Sequence, residues 1–442
     1  MFPRSATVGD AKASRRRALA AVVGVVFIDL VGFGIVIPIL PFYVRSFGVS
    51  DVFIGLLAAS YSLMQFLSAP YLGRLSDERG RRPVLMLSLA GSAVAWVVFG
   101  LGAQLQSIFG LVGGLGTLFA ARMLAGAMGG NIAAAQAYIA DITPREERAA
   151  ALGLIGASFS LGFIFGPALG AAFASDTVVA AADRLLPAFV PTTRFSLPSF
   201  AAAGFSLLGL LAAAVALPEP ARQRGPSAVQ GFVDQFRGAL ADPGLRPLVV
   251  VFLLWSIAFS GVQVAFIPYV ADTYQYGASQ AGLLLTYIGV LGVINQGLVV
   301  RALTKRLSDG RIALAGALLL TVALATLPFS QTVGEALLPA GGPLPPGVVA
   351  LLVVLAGLST GNGWLSVGAS ALVSTTADEA TQGSAFGVTQ GAGSLGRTVG
   401  PPLMTALYVA AVAVPFLLGA VLVIAVVAVL VAVTRRLAVA TA

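Results

Sequence analysis

Three ionisable side chains stand in the middle of long apolar runs: Asp29, Arg122 and Arg397. A charge inside a membrane-crossing helix is costly unless it faces protein or water, so each is a functional candidate. The chain has no cysteine and no histidine, which leaves out thiolate chemistry, disulfides and the usual proton shuttle and metal ligand. Any proton handling must then rest on carboxylates. Asp29 lies eleven residues into its run, about 16 Å deep at a rise of about 1.5 Å per residue. Desolvation there favours the neutral acid, and a nearby cation favours the carboxylate. A carboxyl held between these pulls can exchange a proton as its surroundings change; a permanently neutral or ion-paired structural acid is the alternative. Arg122, in Arg122-Met-Leu-Ala-Gly126, reads either as a packing arginine bonded to helix carbonyls or as a modulator of a carboxylate, Asp29 foremost. Arg397 reads as an attractor of anions or as a charge that pairs across the interface between two halves of the protein. No nucleophile–base set and no metal-ligand cluster is visible, so no enzyme activity, metal or cofactor is expected.

The elements that position these residues follow from composition. Of 442 residues, 58% are hydrophobic and 10% charged, and mean hydropathy is +0.94. A soluble domain has roughly 45–50% apolar and about 25% charged residues. A spanning helix takes about 20 residues, so the length accommodates about twelve. Unbroken runs such as 411–433 exclude the alternation of a membrane β-barrel. The expectation is an all-α integral membrane protein with spans near 18–44, 52–72, 84–105, 108–140, 149–174 and 196–217, then 247–270, 280–300, 311–331, 347–372, 384–410 and 413–434. They form two six-helix bundles, 18–217 and 247–434, with a basic tail at 1–17, a polar linker at 218–246 and a short tail at 435–442. Arg15-Arg16-Arg17 precede a run too long for a cleaved signal sequence, so the first span is expected to stay.

The net charge of +8 and pI near 10.2 do not point to nucleic acid, because the basic residues sit between apolar runs. One side carries five basic residues in the N-terminal tail and four between spans 2 and 3. It adds Arg145 and Arg148, four in the linker, the group Arg301, Lys305, Arg306 and Arg311, and Arg435-Arg436. The other side keeps only Arg45, Arg184 and Arg194. By the positive-inside rule both tails are cytoplasmic, in a multi-pass protein of the inner cell membrane, monomeric within the lipid bilayer.

The densest charge is the stretch Gly73-Arg74-Leu75-Ser76-Asp77-Glu78-Arg79-Gly80-Arg81-Arg82-Pro83, read as a loop between spans 2 and 3 that controls something. The sequence also repeats internally. Gly162-Phe-Ile-Phe-Gly166-Pro167 recurs as Gly396-Arg-Thr-Val-Gly400-Pro401, Ile37-Pro38 as Ile267-Pro268, and Gly55-Leu-Leu as Gly282-Leu-Leu. Two similar halves joined by a polar linker are the mark of a rocking transporter. Gly162, Gly166 and Gly170 line one helix face and allow close approach, and Pro167 bends that helix. Gln65, Asn131, Gln136, Tyr138, Gln263, Asn295, Gln296, Asn362 and Trp364 are polar or aromatic positions within spans, each either lining a cavity or bonding helix to helix.

These motifs together resemble the major facilitator superfamily, and within it the twelve-span drug/proton antiporters, most closely the bacterial tetracycline/proton antiporters. The matching residues are Asp29-x2-Gly32-x-Gly34-x3-Pro38-x2-Pro41, Gly73-x-Leu75-x-Asp77-x2-Gly80-Arg81-Arg82, Arg122-x3-Gly126 and the Gly-Pro run of span 5. The stretch from Leu63-Met-Gln65 through Ser88-Leu89, and Ile139-Ala-Asp141, resemble the tetracycline branch especially; in the second half the match is mainly Gln382-Gly383 and Gly400-Pro401. The resemblance implies that Asp77 caps a helix of the opposite half in the outward-open state, that Arg81 and Asp141 hold this latch together, and that Asp29 takes part in proton or substrate exchange. The chain departs from those exporters at Ala93-Val94-Ala95-Trp96, where they carry an acid, and in spans 7 to 12, which hold no acid, lysine or histidine well inside them. The expected function is export of a small amphipathic compound by alternating access, driven by the proton gradient. The alternatives are a symporter or facilitator for a sugar or other metabolite, and a sensor or scaffold that transports nothing.

Overall fold

The computed structural model describes residues 8–129, 131–220, 237–238, 240–339, 341–376 and 382–440. Among them every regular element is helical, as a solvent without hydrogen-bond partners requires of a crossing chain. Eleven described helices are long and apolar enough to cross a membrane.

Span 1 is Val8–Val36 followed by Leu40–Ser46, and the interruption falls at Pro38, which lacks a backbone donor. Span 2 is Val52–Arg79 and span 3 is Arg81–Gly100. The charged stretch 73–83 is therefore not a loop, as its composition suggested, but two helix ends around a single break. Gly80 makes that break with φ 118°, a conformation strained for any residue with a side chain. Charged side chains at a helix end reach water while the backbone stays bonded, so charge density alone does not interrupt the helix. Span 4 starts at Gly102, kinks at Gly110 with φ 69°, ends its first part at Met128 and continues as Asn131–Ile142. Span 5 is Arg145–Phe173 and span 6 is Ser196–Ala216. Between them in sequence lies a short amphipathic helix, Asp176–Leu185, that the hydropathy pattern did not announce.

Span 7 is Leu245–Tyr274. Span 8 comprises Ala278–Ile294, a π-helical turn Asn295–Val299 and Val300–Leu303. Span 9 is Asp309–Thr326, prolonged by Leu327–Phe329 and Ser330–Leu337. Spans 10, 11 and 12 are Pro346–Thr376, Gln382–Ala410 and Val414–Ala440. Span 11 has the length of the others, but glycines, two prolines, Gln390 and Arg397 dilute its apolar character.

The chain forms two compact units. One contains Met1–Tyr43, Leu63–Pro226 and Ala278–Thr286; the other contains Val44–Ser62, Ser227–Gly277 and Tyr287–Ala442. In the first, span 1 packs on spans 5 and 6, and span 3 on spans 4 and 6. In the second, span 7 packs on spans 11 and 12, and span 9 on spans 10 and 12. Adding six to each span number turns the first scheme into the second, so the repeats seen in sequence are repeats of packing. The core of the first unit includes Val22, Val25, Leu85, Leu89, Tyr138, Ile139 and Ile155. That of the second includes Leu320, Leu324, Leu351, Leu355, Phe416 and Val423. Small residues bring helices together: a methyl added at Gly316 of span 9 would stand 2.8 Å from the Gly361 carbonyl oxygen of span 10.

Candidate functional site

The span 5 glycines lie against span 1. A methyl at Gly162 would stand 2.8 Å from Leu30 Cβ, and one at Gly166 would stand 2.5 Å from Gly34 Cα. One at Gly34 would be 2.8 Å from the Gly162 carbonyl oxygen and 3.3 Å from Pro167 Cδ, while Gly170 meets the Ile35 carbonyl. The contact is backbone against backbone over the two turns that follow Asp29. It sets the height of Asp29 in its helix bundle, where the side chain is half-buried. Arg122, 6% exposed, places its guanidinium carbon 5.9 Å from the Phe33 ring centroid, within cation–π reach. Phe33 is one turn beyond Asp29 on the same face of span 1. Phe33 also meets Trp96 of span 3 and Phe163 of span 5, each with centroids 6.5 Å away. The fold thus brings Arg122 and the span 5 glycines to the same two turns of span 1 that begin with Asp29.

A second cluster forms where spans 2, 3 and 4 end. Arg81 donates from Nε to Asp141 at 2.9 Å and from Nη1 to Asp77 at 2.5 Å and Ser76 at 3.1 Å. Its side chain is 15% exposed, that of Asp141 28% and that of Asp77 61%. Arg81 is the hub, and Asp141 is the better-shielded partner. Gly80 supplies the turn, whereas Gly73 has nothing within 4 Å of the place a methyl would take. Glu219 accepts the backbone N–H groups of Arg81 at 2.8 Å and Arg82 at 3.1 Å, so an acid distant in sequence caps the positive end of span 3. Tyr138 donates to the Pro218 carbonyl at 2.7 Å, which pins the same segment. From sequence, Pro218 and Glu219 looked like the start of a linker, and nothing local marks them as a cap.

The polar positions within spans divide. Gln65 donates to the Gly129 carbonyl at 3.1 Å. Asn295, in the π turn, donates to the Leu291 carbonyl at 2.9 Å and to Thr360 at 2.8 Å. Asn362 accepts from the Trp255 indole at 3.0 Å. These three tie helix to helix. Gln136, Gln263 and Gln296 have exposed side chains, and Gln263 is the one exposed residue between Ser260 and Val270. The Trp364 indole nitrogen is buried without a partner among the described residues. The Asn131 side chain lies outside the described residues. Arg397 is half-buried, and Nη2 donates to the Ser394 hydroxyl at 2.9 Å.

One cluster was not foreseen. Arg45 donates to Asp51 from Nε at 2.8 Å and Nη2 at 2.6 Å, and to Asp272 from Nη1 at 2.6 Å and Nη2 at 2.8 Å. Tyr408 donates to Asp272 at 2.7 Å. A planar guanidinium held by two carboxylates in this way is a strong and directional arrangement. It ties the end of span 1 to the ends of spans 7 and 11. The only sequence signal was the isolation of Arg45 as one of few basic residues on its side. Two further close contacts involve the repeated glycines, one inside each compact unit. Gly55 of span 2 leaves no room for a methyl against Pro401 and Thr405 of span 11, and Gly282 of span 8 would place one 2.7 Å from the Pro167 carbonyl oxygen of span 5.

The description of the Major Facilitator Superfamily matches residues 22–359. Tetracycline resistance protein, class C, of Escherichia coli is 30% identical over 399 residues, 89% of this chain and 90% of that protein. The crystal structure of the human organic anion transporter MFSD10 is similar with a TM-score of 0.62 at 25% identity, covering 94% of this chain and 99% of that one. A bacterial homologue of the human lysosomal transporter Spinster, inward-facing and unoccupied, is similar at 0.73 with 15% identity over 96% of this chain and 98% of that one. The family match runs through the segment that joins the two copies of the packing scheme, and the chain belongs to the Major Facilitator Superfamily, as a multi-pass membrane transporter and not an enzyme.

Proposed function

We propose that this transporter exports a small amphipathic compound in exchange for protons, by alternating access, from a cell whose inner membrane it spans with both tails in the cytoplasm. The observation that carries the reading is the setting of Asp29: an acid in the membrane, half-buried, on the helix face that span 5 glycines and the Arg122–Phe33 contact hold in place. Burial pulls such a carboxyl toward its neutral form and a cation pulls it back, so a change of access on either side moves the proton. The similarity to a tetracycline resistance protein over most of both chains supports export of a drug-like compound. Arg122 acts on Asp29 as the modulating charge, and Asp77, Arg81 and Asp141 form a latch that biases one of the alternating states. No bound cofactor or metal takes part; the proton gradient supplies the energy, and the transporter works as a monomer.

The test uses proteoliposomes with a pH dye in the lumen and a panel of antibiotics and dyes. Substrate movement should be accompanied by a lumenal pH change in the opposite direction to substrate. Asp29→Asn should leave substrate binding measurable by thermal shift while abolishing that pH change. Full proton-coupled exchange by the Asn variant would sink the mechanism. Flux of a sugar with a pH change of the symport sense would favour the metabolite alternative instead.

A further inference from the structure

Arg397 is a cation in the middle of span 11 whose charge no carboxylate among the described residues meets. Its one side-chain hydrogen bond among the described residues is to the neutral hydroxyl of Ser394, at 2.9 Å on its own helix. The neighbouring titratable group is the Tyr61 phenol of span 2. Within the second unit Asp51 and Asp272 are engaged elsewhere, both holding Arg45. The helix runs from Gln382 to Ala410, so Arg397 stands about 20 Å from either end at about 1.5 Å per residue. That is several times the reach of the side chain, which therefore cannot snorkel to the membrane surface.

Nor can the helix turn to carry it elsewhere. Gly396 and Gly400 pack on span 7: a methyl at Gly396 would stand 2.7 Å from Ser256 Cβ, and Gly400 touches Ser260. Ser256 also donates to the Gly393 carbonyl at 2.6 Å. With these glycines against span 7, another face of span 11 carries Gln390, Ser394 and Arg397, spaced so that they stack on one side of the helix. Gln390 is exposed, and Ser394 and Arg397 are half-buried. One turn beyond Arg397, Pro401 and Thr405 meet Gly55 of span 2 with no space for a side chain, which ends the polar stripe. The result is a fixed guanidinium that bonds a hydroxyl, shares its helix face with an amide and lies within electrostatic range of the Tyr61 phenol.

We infer that Arg397 is the recognition group for an anionic substrate, holding a carboxylate or sulfonate while Tyr61 offers the aromatic part of the ligand a surface. The guanidinium fork matches two acceptor oxygens at once, and charge complementarity in a desolvated site selects against neutral and cationic analogues. Ser394 fixes the fork, and Gln390 adds a donor to the same face. This assignment rests on the transporter reading above and narrows its substrate to amphipathic aromatic monoanions.

The experiment measures binding to the purified full-length transporter in detergent, by thermal shift and by equilibrium dialysis. The probes are 1-naphthoate, 1-naphthalenesulfonate, the neutral 1-naphthamide and the cationic 1-naphthylmethylammonium. The wild type should bind the two anions at least tenfold more tightly than the amide or the cation. Arg397→Gln should remove that preference while leaving amide affinity and the thermal midpoint of the unliganded protein unchanged. Arg397→Lys should restore part of it, since it keeps the charge without the fork. Absence of an anion preference in the wild type, or its persistence in Arg397→Gln, overturns the inference. If Arg397→Gln does not fold, the wild-type and Arg397→Lys comparison across the four probes decides instead. Proton-coupled export of cations with rejection of the anions would overturn this assignment and leave the exporter standing. Arg397-dependent anion binding without proton-coupled flux would do the reverse.

Discussion

Arg45 holds Asp272 through two parallel hydrogen bonds of 2.6 and 2.8 Å, although 227 residues separate them in the chain. The same guanidinium holds Asp51 through another pair. Span 1 thus ends in a clasp on span 7, and Tyr408 of span 11 closes it from a third helix. All four residues lie in the second compact unit, so the clasp fastens the end of span 1 to spans 7 and 11 within that unit.

Removing one partner of the clasp should be costly, and exchanging the partners should not repair it. In a double-mutant cycle of Arg45→Ala with Asp272→Ala, read as thermal unfolding in detergent, the coupling should be about 1–2 kcal/mol. It stays modest because the Asp272 side chain is 43% exposed and water screens the pair. The charge swap Arg45→Asp with Asp272→Arg should remain defective, because Asp51, only 11% exposed, would then face a second carboxylate. Recovery of wild-type stability by the swap would show that Asp51 has no part in the clasp.

Gly34→Ala should destabilise the first unit by about 1–3 kcal/mol, the usual cost of forcing a methyl into a packed contact. The methyl would meet the Gly162 carbonyl oxygen at 2.8 Å and Gly166 Cα at 2.9 Å, both backbone atoms with little freedom to yield. Gly153→Ala on the same span 5 should be neutral or slightly stabilising, since nothing lies within 4 Å of its methyl and alanine favours helix. Thermal midpoints of the two variants make the comparison. Equal midpoints would mean that spans 1 and 5 do not meet through these glycines.

Two acids share Arg81, and their loss should separate stability from transport. Asp141→Asn should lower the thermal midpoint more than Asp77→Asn, because its carboxylate is 28% exposed against 61%. Asp77→Asn should instead cripple transport, at least tenfold in initial rate, if Asp77 leaves Arg81 to cap another helix during the cycle. Asp309 stands at the start of span 9 in the second copy and has no ion pair among the described residues. Asp309→Asn should therefore lose only the small benefit of an acid at a helix N-terminus, about 0.3–1 kcal/mol, and transport should stay close to wild type. Matching transport defects in Asp77→Asn and Asp309→Asn would remove the latch from the mechanism.

By itself the sequence determined the helical kind of the spans and the duplication of the halves, but not the short helix Asp176–Leu185 between spans 5 and 6. Hydropathy and the spacing of glycine and proline are local properties, and hydrocarbon leaves a crossing chain no alternative to helix. It also marked Asp29, Arg122 and Arg397, because a charge in an apolar run is visible without any neighbour. What it misjudged was local as well: the 73–83 stretch reads as a loop by charge, yet only Gly80 breaks the helix, since charged side chains can leave the apolar layer while the backbone stays bonded. Tertiary structure alone decided which charges are partners. Glu219 caps span 3 from 138 residues away, and Arg45 finds Asp272 at a separation of 227 residues. The repeated Gly-Leu-Leu glycines turn out to press on Gly-Pro turns of the other repeat, Gly55 on Pro401 and Gly282 on Pro167. Each of these depends on a distance of about 3 Å between groups far apart in sequence, and a hydrogen bond at that range is set by packing rather than by spacing along the chain.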